Sequence, residues 1–373
     1  MVKSVSIPQF QPWFDSEETK EVESYLLSGG FLTEFRLTEQ LESELCAYTG
    51  SEHAIMTNSG TSALMTMFYA SSIGPGDEVI VPNYTMISTP NAVRAVGASP
   101  VFVDIELDTL SLDLAKARAA ISPRTKGLVL VLANGREPSA GIEAFEELCS
   151  EFGIALFEDA AQALGSFYLD GRAMGTAGIA GMISFSVPKI ITTGQGGCVL
   201  TSDGAYARRV RAAKDFGREM GGIDEHPLFG LNFKFTDLQA AIGIAQMRKL
   251  GRRIELKRKI YEEYQSGLKK IPNVKIFPQN LKCTTPWFID IAIPFRRGLA
   301  EHLKREGIGT RPMYPPINSQ PIYEVTGDFP NSSWIGEHGL WLPSSSQLTL
   351  EEVEIVVDAV ADFMGNLQEV SQS

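Results

Sequence analysis

Gly127-Leu-Val-Leu-Val-Leu132 carries no polar side chain. A strand with one face in water alternates apolar and polar residues, whereas a strand covered on both faces reads as an unbroken apolar run. Parallel sheets are covered in this way, because their crossover helices lie on either side. Working outward from this run, similar apolar, β-rich stretches fall at residues 54–56, 78–81, 101–104, 154–157, 182–185 and 198–201. Helix-favouring segments at 62–70, 91–96, 112–120 and 142–151 lie between most of them. The alternation predicts an α/β chain with a doubly wound, mostly parallel sheet of seven strands.

The character changes after about Leu250. A run of small residues, Ala240-Ala-Ile-Gly-Ile-Ala245, leads into a charged, helix-favouring stretch at 247–268. Short strands at 274–277 and 287–293, a helix at 299–306 and a closing helix at 350–364 follow. This predicts a smaller α+β domain reached through a long helix. The expected boundaries are residues 15–248 for the large domain and 249–373, joined by 1–14, for the small one. Residues 369–373 are expected to fray, as chain ends do.

With 373 residues, 44% of them hydrophobic and 21% charged, the chain has the composition of a globular protein with a sizeable core. Its 33 basic and 45 acidic side chains give a net charge of −12. No basic stripe stands out, so nucleic acid is not an expected partner, and the surplus negative charge reads as solubility. Cys46, Cys149, Cys198 and Cys283 lack CxxC spacing, and the four histidines do not pair at ligand spacing. Neither a zinc site nor a disulfide scaffold is expected. No apolar stretch reaches the roughly 20 residues that span a bilayer, and the first residues lack the apolar core of a signal peptide. A cytoplasmic location is the expectation.

Three segments carry chemistry. Asn58-Ser-Gly-Thr-Ser-Ala-Leu64 follows a strand and opens a helix, where backbone N–H groups and the helix dipole suit a phosphate. The plain alternative is an ordinary N-cap. In Phe157-Glu-Asp159-Ala-Ala-Gln162, Asp159 ends an apolar strand at the sheet edge where ligands bind. Gln162 lies about one helical turn further on and can face the same crevice. The third segment is Ser184-Phe-Ser-Val-Pro-Lys189-Ile-Ile-Thr-Thr-Gly194-Gln-Gly-Gly197. From Ala173 to Ser202 Lys189 is the sole charged side chain, and desolvation lowers an ammonium pKa toward a free, nucleophilic amine. A strand-end carboxylate with a lysine 30 residues later is the pair that pyridoxal phosphate needs. The lysine forms the Schiff base, and the aspartate keeps the pyridine nitrogen protonated so that the ring acts as an electron sink. Ser184 is placed to bond a phosphate oxygen. Lys234, between Phe233 and Phe235, ranks below Lys189 for the Schiff base.

Taken with Gly74-Pro-Gly-Asp-Glu-Val-Ile-Val-Pro82 and Asn232-Phe-Lys-Phe-Thr-Asp-Leu-Gln-Ala-Ala-Ile-Gly243, these segments resemble, in order and spacing, the DegT/DnrJ/StrS nucleotide-sugar aminotransferases. The perosamine-synthase-like members are the nearest in pattern, and the similarity runs from about Ile7 to the C-terminal helix. The resemblance implies a fold-type I, aspartate-aminotransferase-like subunit, pyridoxal 5'-phosphate as cofactor, and a homodimer with each active site built across the interface. It assigns Lys189 to the Schiff base and Asp159 to the pyridine nitrogen. Gln162 falls near the cofactor's phenolic oxygen, Gly60, Thr61 and Ser184 at its phosphate, and Asn232 reaches the phosphate of the neighbouring subunit. The implied reaction moves an amino group from glutamate, which leaves as 2-oxoglutarate, to a nucleotide-linked sugar. The 4-keto group of a 4-keto-6-deoxyhexose is the expected acceptor. Lys189, once released, shuttles the proton as general acid and base.

The chain departs from the family pattern at several places. Met86, in Pro82-Asn-Tyr-Thr-Met86, stands where an aromatic residue commonly stacks on the cofactor, and a thioether can pack there too. Asn134, in Val131-Leu-Ala-Asn134-Gly135, replaces part of a Val-His-Leu-Tyr-Gly segment. Asn318 stands where a histidine is frequent, and Gln195 replaces a glutamate. Asn134 and Asn318 are therefore expected near the substrate, with a sugar that differs from a standard hexose. Arg311 and Tyr314 are expected at the nucleotide phosphates, since an arginine fork binds phosphate in bidentate fashion; the alternative pairs Arg311 with a surface carboxylate. A sugar dehydratase of the same family carries histidine in place of the lysine, so Lys189 speaks against it. A cyclitol or other cyclic-ketone aminotransferase would share the cofactor site, and a cofactor-binding sensor or scaffold without turnover is the rival of another class. A dehydrogenase has no support, because no GxGxxG opens a helix after a strand.

Overall fold

The computed structural model describes residues 6–220, 223–323 and 325–372. Seven strands form one sheet: β1 (His53–Thr57), β2 (Glu78–Pro82), β3 (Ser99–Val103), β4 (Thr125–Val131), β5 (Ala155–Asp159), β6 (Ala180–Ser184) and β7 (Gly197–Thr201). Their order is β1-β7-β6-β5-β4-β2-β3. The four pairings among β2 to β6 are parallel, and β7 is antiparallel to both β1 and β6.

The apolar run at β4 divides between two cores. Leu128, Leu130 and Leu132 enter one cluster, and Val129 and Val131 enter another on the opposite face. Neighbouring strands split likewise, with Ile80 and Leu156 on the first side and Val79, Val81 and Phe157 on the second. Each fully buried Leu or Val contributes about 1.5–3 kcal/mol, so both faces of the sheet drive folding. Gly127 opens the run because a Cβ there would stand 2.7 Å from the Phe157 ring.

The small-residue run and the charged stretch after it form one helix of 32 residues, Asp237–Leu268. Ala240, Ile244 and Leu250 pack into the first core, while Ile260, Tyr261, Tyr264 and Leu268 belong to a third cluster. That cluster lies against a second sheet of β8 (Lys275–Ile276), β9 (Ile289–Ala292), β10 (Arg311–Pro312) and β11 (Gly339–Leu342), antiparallel throughout in the order β10-β11-β9-β8. Ile7 pairs with Ile308 and joins the same cluster. Residues 1–5 of the N-terminal segment lie outside the described residues. The closing helix spans Leu350–Gln372. It carries helical backbone through most of the stretch expected to fray, and Ser373 lies outside the described residues.

Two buried polar seams join the sheets. Arg136, beyond β4, makes a two-pronged ion pair with Asp290 of β9, at 2.8 and 2.6 Å. Asn134 pairs its side-chain amide with the backbone of Phe288, donating through Nδ2 and accepting at Oδ1, both at 2.7 Å. No helix among the described residues is long and apolar enough to cross a membrane.

Candidate active site

At the carboxyl ends of β5 and β6 the chain leaves a crevice of about 270 Å³, close to the lower end of ordinary ligand sites. Gly60, Thr61, Met86, Asp159, Gln162, Ser184, Lys189, Arg311 and Tyr314 all line it. Sequence reasoning named all nine.

Asp159 closes β5 and is buried. Its Oδ2 accepts from Thr89 Oγ1 at 2.7 Å, and its Oδ1 accepts from the Ala161 N–H at 3.2 Å. Burial raises its pKa; those bonds and the charge of Lys189 oppose the rise without cancelling it. Lys189 is the cation that acts on the carboxylate. Lys189 follows Pro188 on a turn closed by its own N–H to Ser186 O. Burial pushes its amine down to about 8, with Arg311 adding to the fall and Asp159 opposing it. The amine makes no hydrogen bond among the described residues and sits over the ring of Trp287, 4.3 Å from its centroid.

The helix Gly60–Ala70 starts beside Ser184. Ser59 is its N-cap, in a capping box with Ser62, as the plain reading of that segment expects. A Cβ on Gly60 would meet Ser184 Oγ at 3.3 Å and Met182 Sδ at 3.2 Å. Glycine lets the first-turn N–H groups, which have no partner within the helix, approach the serine closely. Gln162 accepts the Asn134 N–H at 2.7 Å and lies by the Tyr314 hydroxyl, which burial and Asp159 push up to about 12 against Arg311 and Gln162. Arg311 makes no ion pair among the described residues, so it is not held by a surface carboxylate; its guanidinium lies 5.4 Å from the centroid of the Trp341 ring.

Three expected residues are not at the crevice. Asn134 has φ 57°, in the left-handed region that Asn tolerates. That turn points its amide back onto Phe288, so it reaches the crevice only through its N–H to Gln162, and the expected substrate contact is corrected. Asn318 is likewise turned away, its N–H and Oδ1 paired with Asn83 at 2.9 and 2.8 Å. Asn232 is exposed and away from the crevice of its own chain, beside Asp215. Lys234 is held by Asp215 at 2.6 Å and is not free. Sequence reasoning missed Thr89 and Trp287 and gave no site role to Gln195, though these bond Asp159 or line the crevice.

Residues 12–361 match the DegT/DnrJ/EryC1/StrS aminotransferase family. GDP-perosamine synthase of Vibrio cholerae is 30% identical over 365 residues, covering 96% of this chain and 99% of that protein. GDP-perosamine synthase of Caulobacter vibrioides is 33% identical over 341 residues, covering 89% and 90%. The solved structure of S. venezuelae DesV, in complex with a ketimine intermediate, superimposes with a TM-score of 0.88 at 31% identity over 94% of each chain. The subunit thus has the fold-type I, aspartate-aminotransferase-like architecture. The chain belongs to the DegT/DnrJ/EryC1/StrS aminotransferase family, whose members depend on pyridoxal 5'-phosphate.

Proposed function

We propose that the chain is a pyridoxal phosphate-dependent aminotransferase that moves an amino group from glutamate to the keto group of a GDP-linked 4-keto-6-deoxyhexose. The observation that carries this is Lys189: an amine with a depressed pKa sharing one crevice with a buried carboxylate. The residues fit the cofactor. A pyridinium nitrogen would set a positive charge against buried Asp159, and the start of the Gly60–Ala70 helix with Ser184 would take the phosphate. Gln162 and Met86 would lie along the ring. When bound, the cofactor supplies an electron sink for the carbon that gains or loses the amino group.

The protein's own groups do the rest. Thr89 and Ala161 hold Asp159 in place. Lys189, its amine brought down to about 8 by burial, carries a proton to and from the reacting carbon. Trp287, Tyr314 and Val131 wall the crevice against water. Arg311, at its edge and without an ion pair among the described residues, attracts the phosphates of a nucleotide or a donor carboxylate.

The same reading takes the enzyme as a cytoplasmic homodimer with shared sites, Asn232 reaching the phosphate of the neighbouring subunit. Exposed Leu27, Phe31, Met220 and Phe229 favour a partner surface. It also divides the chain into a large domain of 15–248 and a small one of 249–373 with 1–14. Borohydride reduction of the yellow protein, followed by peptide mapping, is expected to tag Lys189. Isotope-labelled glutamate is expected to pass its amino group to the GDP-keto-sugar. Transfer only to a cyclic ketone such as a cyclitol would replace the acceptor, and bound cofactor without any transfer would replace the enzyme with a sensor or scaffold.

A further inference from the structure

Trp287 touches Lys189 in two ways. Its ring lies under the amine, 4.3 Å from Nζ to the centroid, and its indole N–H donates to the carbonyl of Pro188 at 2.7 Å. One side chain therefore grips both the peptide before the lysine and the charge at the lysine's tip. The indole is itself held firmly. It is 5% exposed, stacks on Phe288 at 3.7 Å and 17°, and meets Trp341 edge-on at 5.6 Å. Its backbone carbonyl accepts from the buried Lys257, which also donates to Ser344 O.

An unheld ammonium in this crevice would have one attraction, the carboxylate of Asp159, and one repulsion, Arg311. Migration to Asp159 would place the amine against the group needed by the cofactor ring. An aromatic face holds a cation by its quadrupole, more weakly than a carboxylate, and tryptophan does so best. It also tolerates the neutral amine, so it does not block release of the proton. We infer that Trp287 is a positioning residue for amino transfer: its ring holds the free amine of Lys189 at the reacting end of the crevice, and its N–H fixes the turn on which the lysine rides. The inference rests on the reading of Lys189 as the proton carrier.

The test weakens the ring without changing its shape. Mono- and trifluorinated tryptophan at 287 keep the N–H and the packing while draining the negative face of the indole; Trp287→Phe keeps a weaker ring and Trp287→Leu removes it. In the full chain purified without cofactor, the pH midpoint for modification of Lys189 by an amine reagent is read by peptide mapping. Loss of the ring's attraction disfavours the charged form, so the midpoint should fall along the fluorinated series. It should drop by roughly half to one unit in Trp287→Leu, with Trp287→Phe between. In the loaded enzyme, kcat for Trp287→Leu should fall about ten- to a hundredfold with KM for the nucleotide-sugar little changed. A midpoint that stays constant across the folded fluorinated proteins overturns the inference, even if Trp287→Leu does not fold. So does a loss of kcat that merely follows the melting temperature. Borohydride tagging of Lys189 in the same proteins keeps the two readings apart: a tag at Lys189 with an unmoved midpoint sinks only the role of Trp287.

Discussion

Asp159 and Lys189 shape each other's titration. The carboxylate holds the lysine's pKa up, against burial and Arg311, and the lysine holds the carboxylate's pKa down. Replacing Asp159 with Asn removes the negative charge that favours the ammonium. Lys189 should then titrate below about 8, and its modification by an amine reagent should begin at lower pH. The amide also cannot balance a pyridinium charge, so kcat should fall on the order of a hundredfold, measured with saturating cofactor. Both residues were legible in the sequence because each ends or follows an apolar strand. Thr89 and Trp287 were not: one bonds Asp159 across 70 residues and the other bonds Pro188 across 99, and no local pattern marks such partners. Asn134 shows the converse error. Its loop position was visible, but the left-handed backbone that turns its amide toward Phe288 was not.

Among the elements, the start of the long helix organises a second one. Asp237, its first residue, accepts from the N–H groups of Phe35, Leu37 and Thr38, from the Thr38 hydroxyl and from Tyr25. A carboxylate thus caps the helix Arg36–Thr49 from another part of the chain, where the dipole favours negative charge. Burial opposes that charge and the hydrogen bonds outweigh it, leaving the pKa of Asp237 below its usual 3.8. Asp237→Ala should destabilise the protein by about 2–3 kcal/mol near neutral pH. A group with a depressed folded pKa stabilises above its unfolded pKa. The penalty should therefore hold at neutral pH and shrink as pH falls below 3.8, as urea unfolding of both proteins would show. The Arg36–Thr49 helix and the preceding Ser16–Leu27 helix escaped the sequence reading. Both are rich in charged residues, and the reading keyed on apolar runs. The small residues at 240–245 were read as leading into the long helix, and they lie within it. They are a packing stripe, since a Cβ on Gly243 would meet Leu41 at 2.7 Å.

For the whole molecule, the position of Asn232 makes assembly testable. If each site draws Lys189 from one subunit and Asn232 from the other, Lys189→Ala and Asn232→Ala homodimers are each impaired, while their hybrid holds one intact site. Subunits mixed in equal amounts should regain about a quarter of the parent activity, the share expected for random pairing in a two-fold dimer. No gain on mixing would place each site within a single chain. The β/α alternation and the seven-stranded sheet could be read from sequence because burial on both faces imposes an unbroken apolar pattern. The antiparallel strand β7, between β6 and β1, could not, because an apolar run does not record its direction.

The Arg136–Asp290 pair bears on how a ligand enters. Both side chains are almost fully enclosed, and removing either partner would leave an uncompensated buried charge, at about 3–5 kcal/mol. The pair ties the two sheets together, and Met86 and Gln195 at the rim of the crevice are exposed, so ligand entry is expected at their loops. Deuterium uptake measured with and without nucleotide-sugar should change at those loops and stay constant along β4 and β9.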